Sequence, residues 1–99
     1  MKNEARTMYE VGLDIKGYLE KVREMEGFSM DDLANYVEVN SLTLRNAIYK
    51  NNWSDMLVTI LKLKNTIPPE LCYEYRKSAE MERILKRKER RFNHDSNED

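Results

Sequence analysis

The sequence is poor in the residues that build disulfides, metal sites and strands. It has one cysteine, Cys72, and one histidine, His94, among 99 residues, too few for an intramolecular disulfide or a Cys/His metal cluster. A lone cysteine is typical of a reducing, intracellular setting. Three glycines, two prolines and 35% charged residues, without long alternating runs of β-branched and aromatic residues, favour helices over strands. We therefore predict an all-α fold.

Long apolar runs are also missing. No stretch approaches the roughly 18 residues that a membrane-spanning helix needs, and the sequence does not open with a charged and then apolar leader. We expect a cytoplasmic protein without a membrane partner.

Catalytic groups have little support. A nucleophile needs a nearby base in a formed pocket, but His94 lies in a polar tail and Cys72 has no evident partner in the sequence. No glycine-rich phosphate-binding loop can be found. We expect no enzymatic activity and no cofactor, and we interpret Cys72 as a small packed hydrophobe.

The net charge of −1 conceals an uneven distribution. Residues 67–91 carry eight basic and five acidic side chains, whereas residues 92–99 carry three acidic ones and neither Lys nor Arg. The basic segment 83–91 has two interpretations of equal weight. In the first, the segment binds nucleic-acid phosphates. In the second, it is a solvated helix face whose charge is balanced by neighbouring acidic residues. The candidate phosphate contacts are Arg83, Lys86, Arg87 and Arg90.

Apolar spacing divides the chain into four segments. Residues 1–11 are polar and aperiodic, and we expect a flexible N-terminus. Residues 12–66 contain four short amphipathic patterns, which predict a small helical domain. Its helices should begin near Leu13, Met30, Ser41 and Asp55, and the second and third should end near Val37 and Lys50. Ser29 can cap the second helix, and Asn40 or Ser41 the third. The side chains expected to face inward are Ile15, Leu19, Val22, Leu33, Ala34, Val37, Leu44, Ala47, Ile48, Leu57, Ile60 and Leu61. Residues 67–91 predict a long charged helix after two prolines, and residues 92–99 an acidic disordered tail.

The long C-terminal helix has few apolar positions. They trace a rough heptad spacing, which predicts a dimer contact through this helix. The contact residues would be Leu71, Tyr75, Met81 and Leu85. The spacing leaves open whether the helix crosses to a second chain or folds back on its own domain. Trp53 is predicted to pack beside the fourth helix, with an exposed dimer anchor as the alternative.

Residues 29–50 carry two helical patterns with almost no linker between them, and they read SMDDLANYVEVNSLTLRNAIYK. Ala34 supplies a small residue where the two helices cross, and Leu44 a buried residue early in the second helix. From about Ile15 to Leu71 the chain resembles the repressor/Cro-like helix-turn-helix family, most of all a little-characterised bacterial subgroup with a similar Leu-Arg-Asn run. Glu38 departs from it, because many members have glycine there. It must adopt a positive φ, or the turn must lengthen.

The resemblance implies a small sequence-specific DNA-binding regulator, a repressor encoded by a phage or mobile element. It would bind double-stranded DNA as a homodimer, because one reading helix covers only a half-site. The positions implied to contact base edges are Ser41, Leu42, Thr43, Arg45 and Asn46. The positions implied to contact phosphates at the end of that helix are Tyr49, Lys50, Asn51 and Asn52.

The same residues allow a rival interpretation. Arg45 could be a solvated helix charge, Asn46 could brace a loop, and an exposed Leu42 is more usual in protein contacts. Residues 28–66 carry four basic and four acidic side chains. This segment therefore has no net charge, which gives little support to DNA binding. The rival is a protein-interaction or inhibitor module on the same fold, with non-specific nucleic-acid contact through residues 83–91. A positive face would favour DNA, and an apolar patch a protein partner.

Overall fold

The computed structural model describes the backbone of residues 6–97 and the side chains of residues 6–88. This part of the chain is all-α, as predicted, and contains five helices. They are α1 (Met8–Glu26), α2 (Met30–Val37), α3 (Ser41–Lys50), α4 (Asp55–Leu63) and α5 (Pro69–Asn97). The bounds of α2 and α3 agree with those predicted from the sequence. No helix in the described part of the chain is long and apolar enough to cross a membrane.

The first helix begins earlier than its apolar spacing predicts. α1 starts at Met8, so the prediction of a flexible segment over residues 1–11 is wrong for its last four residues. The Thr7 hydroxyl accepts a hydrogen bond from the Glu10 N–H, and the Glu10 carboxylate accepts one from the Thr7 N–H. This capping box satisfies amides of the first turn, and Val11 is fully buried. The first turn of α1 is thus stabilised by its capping box and by the burial of Val11.

One hydrophobic core joins the five helices. Most of the side chains that the sequence predicts to face inward are buried: Ile15, Leu19, Leu33, Ala34, Val37, Leu44, Ala47, Ile48, Leu57 and Leu61. Trp53 is buried beside α4, as predicted, and its carbonyl accepts a hydrogen bond from the Tyr75 hydroxyl. On α4 the inner face also includes Val58, whereas Ile60, predicted to face inward, is only partly buried.

The first part of α5 folds back on its own domain, where it packs against α1 and α4. Leu71 and Tyr75 are buried there, so their predicted role in a dimer contact is wrong: the core of their own chain covers them. Cys72 is buried as well, as predicted. Met81 and Leu85, farther along α5, remain exposed.

The backbone of α5 stays helical as far as Asn97. The prediction of a disordered tail over residues 92–99 is therefore wrong for residues 92–97. The reason lies in the composition, because neither Gly nor Pro follows Pro69 and good helix formers dominate. The Arg90 side chain, a predicted phosphate contact, lies outside the described residues.

Candidate nucleic-acid interface

α2 and α3 are joined by a tight turn of residues 38–40. Glu38 adopts the left-handed conformation, with φ 61° and ψ 45°, as its place in the sequence predicts for a tight turn. The Asn40 side chain then caps α3, because its Oδ1 accepts hydrogen bonds from the Leu42 and Thr43 N–H groups at 2.8 and 3.3 Å. The Lys64 ammonium lies 3.4 Å from the Glu38 carboxylate and connects the end of α4 to this turn. We call these two helices and their turn the α2–α3 unit.

α3 presents one face to the core and the other to solvent. Leu44, Ala47 and Ile48 are buried, as predicted. The opposite face, which we call the α3 surface, consists of exposed side chains: Leu42, Thr43, Asn46, Tyr49 and Lys50. Within the described part of the chain the α3 surface is exposed to solvent, and it combines amide, hydroxyl, ammonium and apolar groups.

Two of the predicted base contacts, Ser41 and Arg45, are held by a carboxylate instead of pointing freely outward. Asp31, in the first turn of α2, accepts a hydrogen bond from the Ser41 hydroxyl at 2.6 Å and from the Arg45 guanidinium at 2.9 Å. Arg45 also donates to the Ser41 hydroxyl at 3.2 Å. The role of Asp31 could not be predicted from the sequence, because the contact depends on how α2 crosses α3 and not on local spacing.

These contacts stabilise the charged forms of both partners. The hydrogen bond from Ser41, and next to it the guanidinium of Arg45, lower the pKa of Asp31 below its usual value of 3.8. The same carboxylate raises the pKa of Arg45. The positive charge of Arg45 is thus balanced by its neighbour at neutral pH, and the front of α3 is close to neutral.

Polar residues of α3 line a groove that reaches the start of α4. Thr43, Asn46 and Lys50 line it, together with Asn52 and Ser54 beyond the helix. All five side chains are exposed. The structure therefore brings together two of the predicted base contacts and two of the predicted phosphate contacts.

A second groove adjoins the first at Trp53 and Ser54, which line both. Arg83 and Lys86 of α5 line this second groove as well. Arg83 lies 3.8 Å from Asp55 and 3.9 Å from Glu80, so its charge is partly balanced. Lys86 and Arg87 are exposed. The basic part of α5 consequently lies beside the loop that follows α3, although these residues are far apart in the sequence.

Asn51 does not serve the predicted phosphate contact. It ends α3 with a positive φ of 52°. Its side-chain amide donates to the Tyr9 carbonyl at 3.0 Å, and its Oδ1 accepts from the Trp53 indole at 2.8 Å. The side chain is therefore occupied in fastening the α3–α4 loop to α1, and that prediction is wrong.

Comparison with known proteins gave no match to a family model, a curated protein or a solved structure. Within the described residues, no group of three or more His, Cys, Asp and Glu side chains is placed to hold a metal ion. Function has to be inferred from the α3 surface and its surroundings.

Proposed function

We propose that the protein is a small sequence-specific DNA-binding regulator that reads the major groove with α3. The observation that best supports this is the α2–α3 unit, in which a tight turn leads into a helix that buries Leu44 and turns Thr43 and Asn46 outward. Helix-turn-helix regulators present their second helix to DNA in this manner. The proposal includes membership of the repressor/Cro-like family that the sequence resembles.

The base contacts in this proposal come from the polar part of the α3 surface. The amide of Asn46 can bond to both N6 and N7 of an adenine, and the methyl groups of Thr43 and Leu42 can contact a thymine methyl. Ser41 and Arg45 reach a base only when Asp31 releases them. Their first role is to hold α3 against α2.

The phosphate contacts come from the rim of the same surface. Tyr49 and Lys50 end α3, Asn52 follows it, and Lys86 lines the adjoining groove. Such contacts fix the position of a protein on the duplex and make its affinity depend on salt. Two copies would bind a two-fold symmetric site and repress transcription by covering a promoter, in the cytoplasm and without a cofactor.

The test is selection from a pool of random duplexes, followed by sequencing of the bound fragments. The wild-type protein should enrich a two-fold symmetric site. Asn46→Ala should lose about 1–3 kcal/mol of discrimination at one position of each half-site. Lys50→Gln should weaken binding to all sequences alike and reduce the slope of log K against log salt by about 0.9.

Lys21→Gln is the matched control for Lys50→Gln, because it removes the same charge from the outer side of α1. It should leave both the selected site and the salt slope unchanged. Weak binding with a steep salt dependence and without an enriched site would contradict the proposal.

A second candidate is a protein-interaction module that uses the same helix. Leu42 and Tyr49 lie seven residues apart on one side of α3, and they are 65% and 70% exposed. Exposed apolar groups on one face mark protein contacts more often than DNA contacts. In the selection experiment this candidate predicts no enriched site, and Leu42→Ala would leave any weak DNA affinity unchanged.

A further inference from the structure

α4 is apolar on two opposite faces. Six of its nine residues are apolar: Met56, Leu57, Val58, Ile60, Leu61 and Leu63. One face, with Leu57, Val58 and Leu61, is buried in the core. The other face carries Met56 and Leu63, which are 74% and 68% exposed, with the partly buried Ile60 between them. We call these three residues the α4 stripe.

The α4 stripe differs from a scattering of exposed apolar side chains. Its members follow the i, i+4, i+7 spacing and therefore form one continuous line along the helix. Met25, by contrast, is 78% exposed but stands alone between Glu24 and Glu26 on α1. The apolar face of a helix is normally covered by another element or by a partner. Among the residues that the structure describes, none covers the second face of α4 in this way.

We propose that the α4 stripe binds a second copy of this chain, with the two α4 helices antiparallel across a two-fold axis. Asp55 and Lys62 lie seven residues apart, on one side of α4 and at opposite ends of the helix. Asp55 is also 3.8 Å from Arg83 of its own α5, and its side chain stays half exposed. A two-fold axis between antiparallel helices brings the same edge of both copies together. Asp55 of each copy then faces Lys62 of the other, so the surface complements itself in charge as well as in apolar character.

The same axis fixes where the α2–α3 units lie. Lys64 at the end of α4 contacts Glu38 in the turn between α2 and α3. The turn therefore lies along one edge of α4. The two-fold axis places this edge of both copies on the same side of the pair. Both α2–α3 units consequently lie on the same side. The pairing does not depend on the proposed DNA binding, and it moves the predicted dimer contact from α5 to α4.

Sedimentation velocity of the full chain, without DNA and over a wide concentration range, tests the pairing. The wild-type protein should pass from monomer to dimer as its concentration rises. Met56→Glu and Leu63→Glu should each raise the dimer dissociation constant at least about tenfold, because each leaves an unpaired charge in the contact. Met25→Glu is the matched control and should change nothing. All three variants should melt close to the wild-type temperature, since the replaced side chains are exposed in the monomer.

Two further variants test the antiparallel arrangement. Asp55→Lys and Lys62→Asp should each weaken the dimer, and the double variant should restore it, because the exchanged charges face each other again. Asp55→Lys also places a cation beside Arg83 of its own chain, so Lys62→Asp is the cleaner single variant. Ile60 lies nearest the two-fold axis, so Ile60→Cys should form a disulfide-linked dimer on mild oxidation, whereas Met25→Cys should not. The native Cys72 is buried and should not interfere.

Two results would overturn the proposal. One is a protein that stays monomeric at every concentration. The other is a dimer that survives both stripe variants but dissociates in Leu85→Glu, which would place the contact on the exposed part of α5. Neither result bears on whether α3 binds DNA, because the selection experiment measures that separately.

Discussion

Gly12 shows how one absent side chain positions a loop. A Cβ added to this residue of α1 would lie 2.2 Å from Oδ1 of Asn51 and 2.9 Å from the Trp53 ring. The same Asn51 bonds to both Trp53 and the Tyr9 carbonyl. The loop between α3 and α4 thus rests directly on the α1 backbone, and it sets where the α3 surface ends.

Two alanine substitutions in α1 should therefore have opposite effects on stability. Gly12→Ala should lower the free energy of unfolding by about 1–3 kcal/mol, because the loop has to move away from the new methyl group. Gly17→Ala should raise it by about 0.5–1 kcal/mol, because nothing lies within 4 Å of its added Cβ and alanine favours the helix. Urea unfolding measures both. Equal changes in the two variants would contradict the close contact at Gly12.

Asn51 and Asp31 mark the limit of inference from sequence at the residue scale. The caps at Ser29 and Asn40 can be predicted, since each bonds within three residues of itself. Asn51 bonds to Tyr9, which is 42 residues away. Asp31 meets Arg45 only because α2 crosses α3. A contact that depends on the packing of distant elements leaves no local pattern.

At the scale of elements, α2 and α3 could be predicted to their ends because their signals are local: serine and asparagine caps, a buried stripe and a turn residue with positive φ. α5 could not. Its apolar spacing is the same whether it packs on its own domain or on another chain, and Tyr75 proved to belong to its own core. On α4, the excess of apolar residues was visible in the sequence, but which of them are exposed depends on the tertiary packing.

The contact between α2 and α3 supplies a prediction about DNA affinity. Asp31→Asn should strengthen binding to all DNA sequences by a few-fold, since it removes a negative charge beside the α3 surface and leaves the positive charge of Arg45 unbalanced. Filter binding at several salt concentrations measures this change. Glu20→Gln removes the same charge from the outer side of α1 and should have a smaller effect. Equal effects would mean that only net charge matters.

The Asp31 carboxylate also makes the stability of the fold depend on pH. Its pKa is lowered in the folded state. Its contribution to the free energy of unfolding is therefore fully present above pH 3.8, and it is lost as the pH falls through the lower pKa of the folded state. Asp31→Asn should remove this contribution. The difference in stability between variant and wild type should therefore shrink in strongly acidic solution.

At the scale of the whole molecule, the α3 surface and the α4 stripe belong to different helices but share one consequence. If α3 reads a half-site and α4 joins two copies, the affinity for a full site rises, because the second α3 binds as part of the same dimer. The two proposals can then be separated by the length of DNA offered, because a half-site needs only the α3 surface.

Met56→Glu should leave the affinity for a half-site unchanged and lower that for the full two-fold site, by about 10²-fold where the wild-type chain is dimeric. Asn46→Ala should weaken both, because each copy loses a base contact. Fluorescence anisotropy with matched half-site and full-site duplexes measures the affinities of both variants and of the wild type.

A loss of half-site affinity in Met56→Glu would mean that α4 itself contacts DNA. An unchanged full-site affinity would mean that the two readers are joined elsewhere, and the exposed residues of α5 would then be the surface to substitute next.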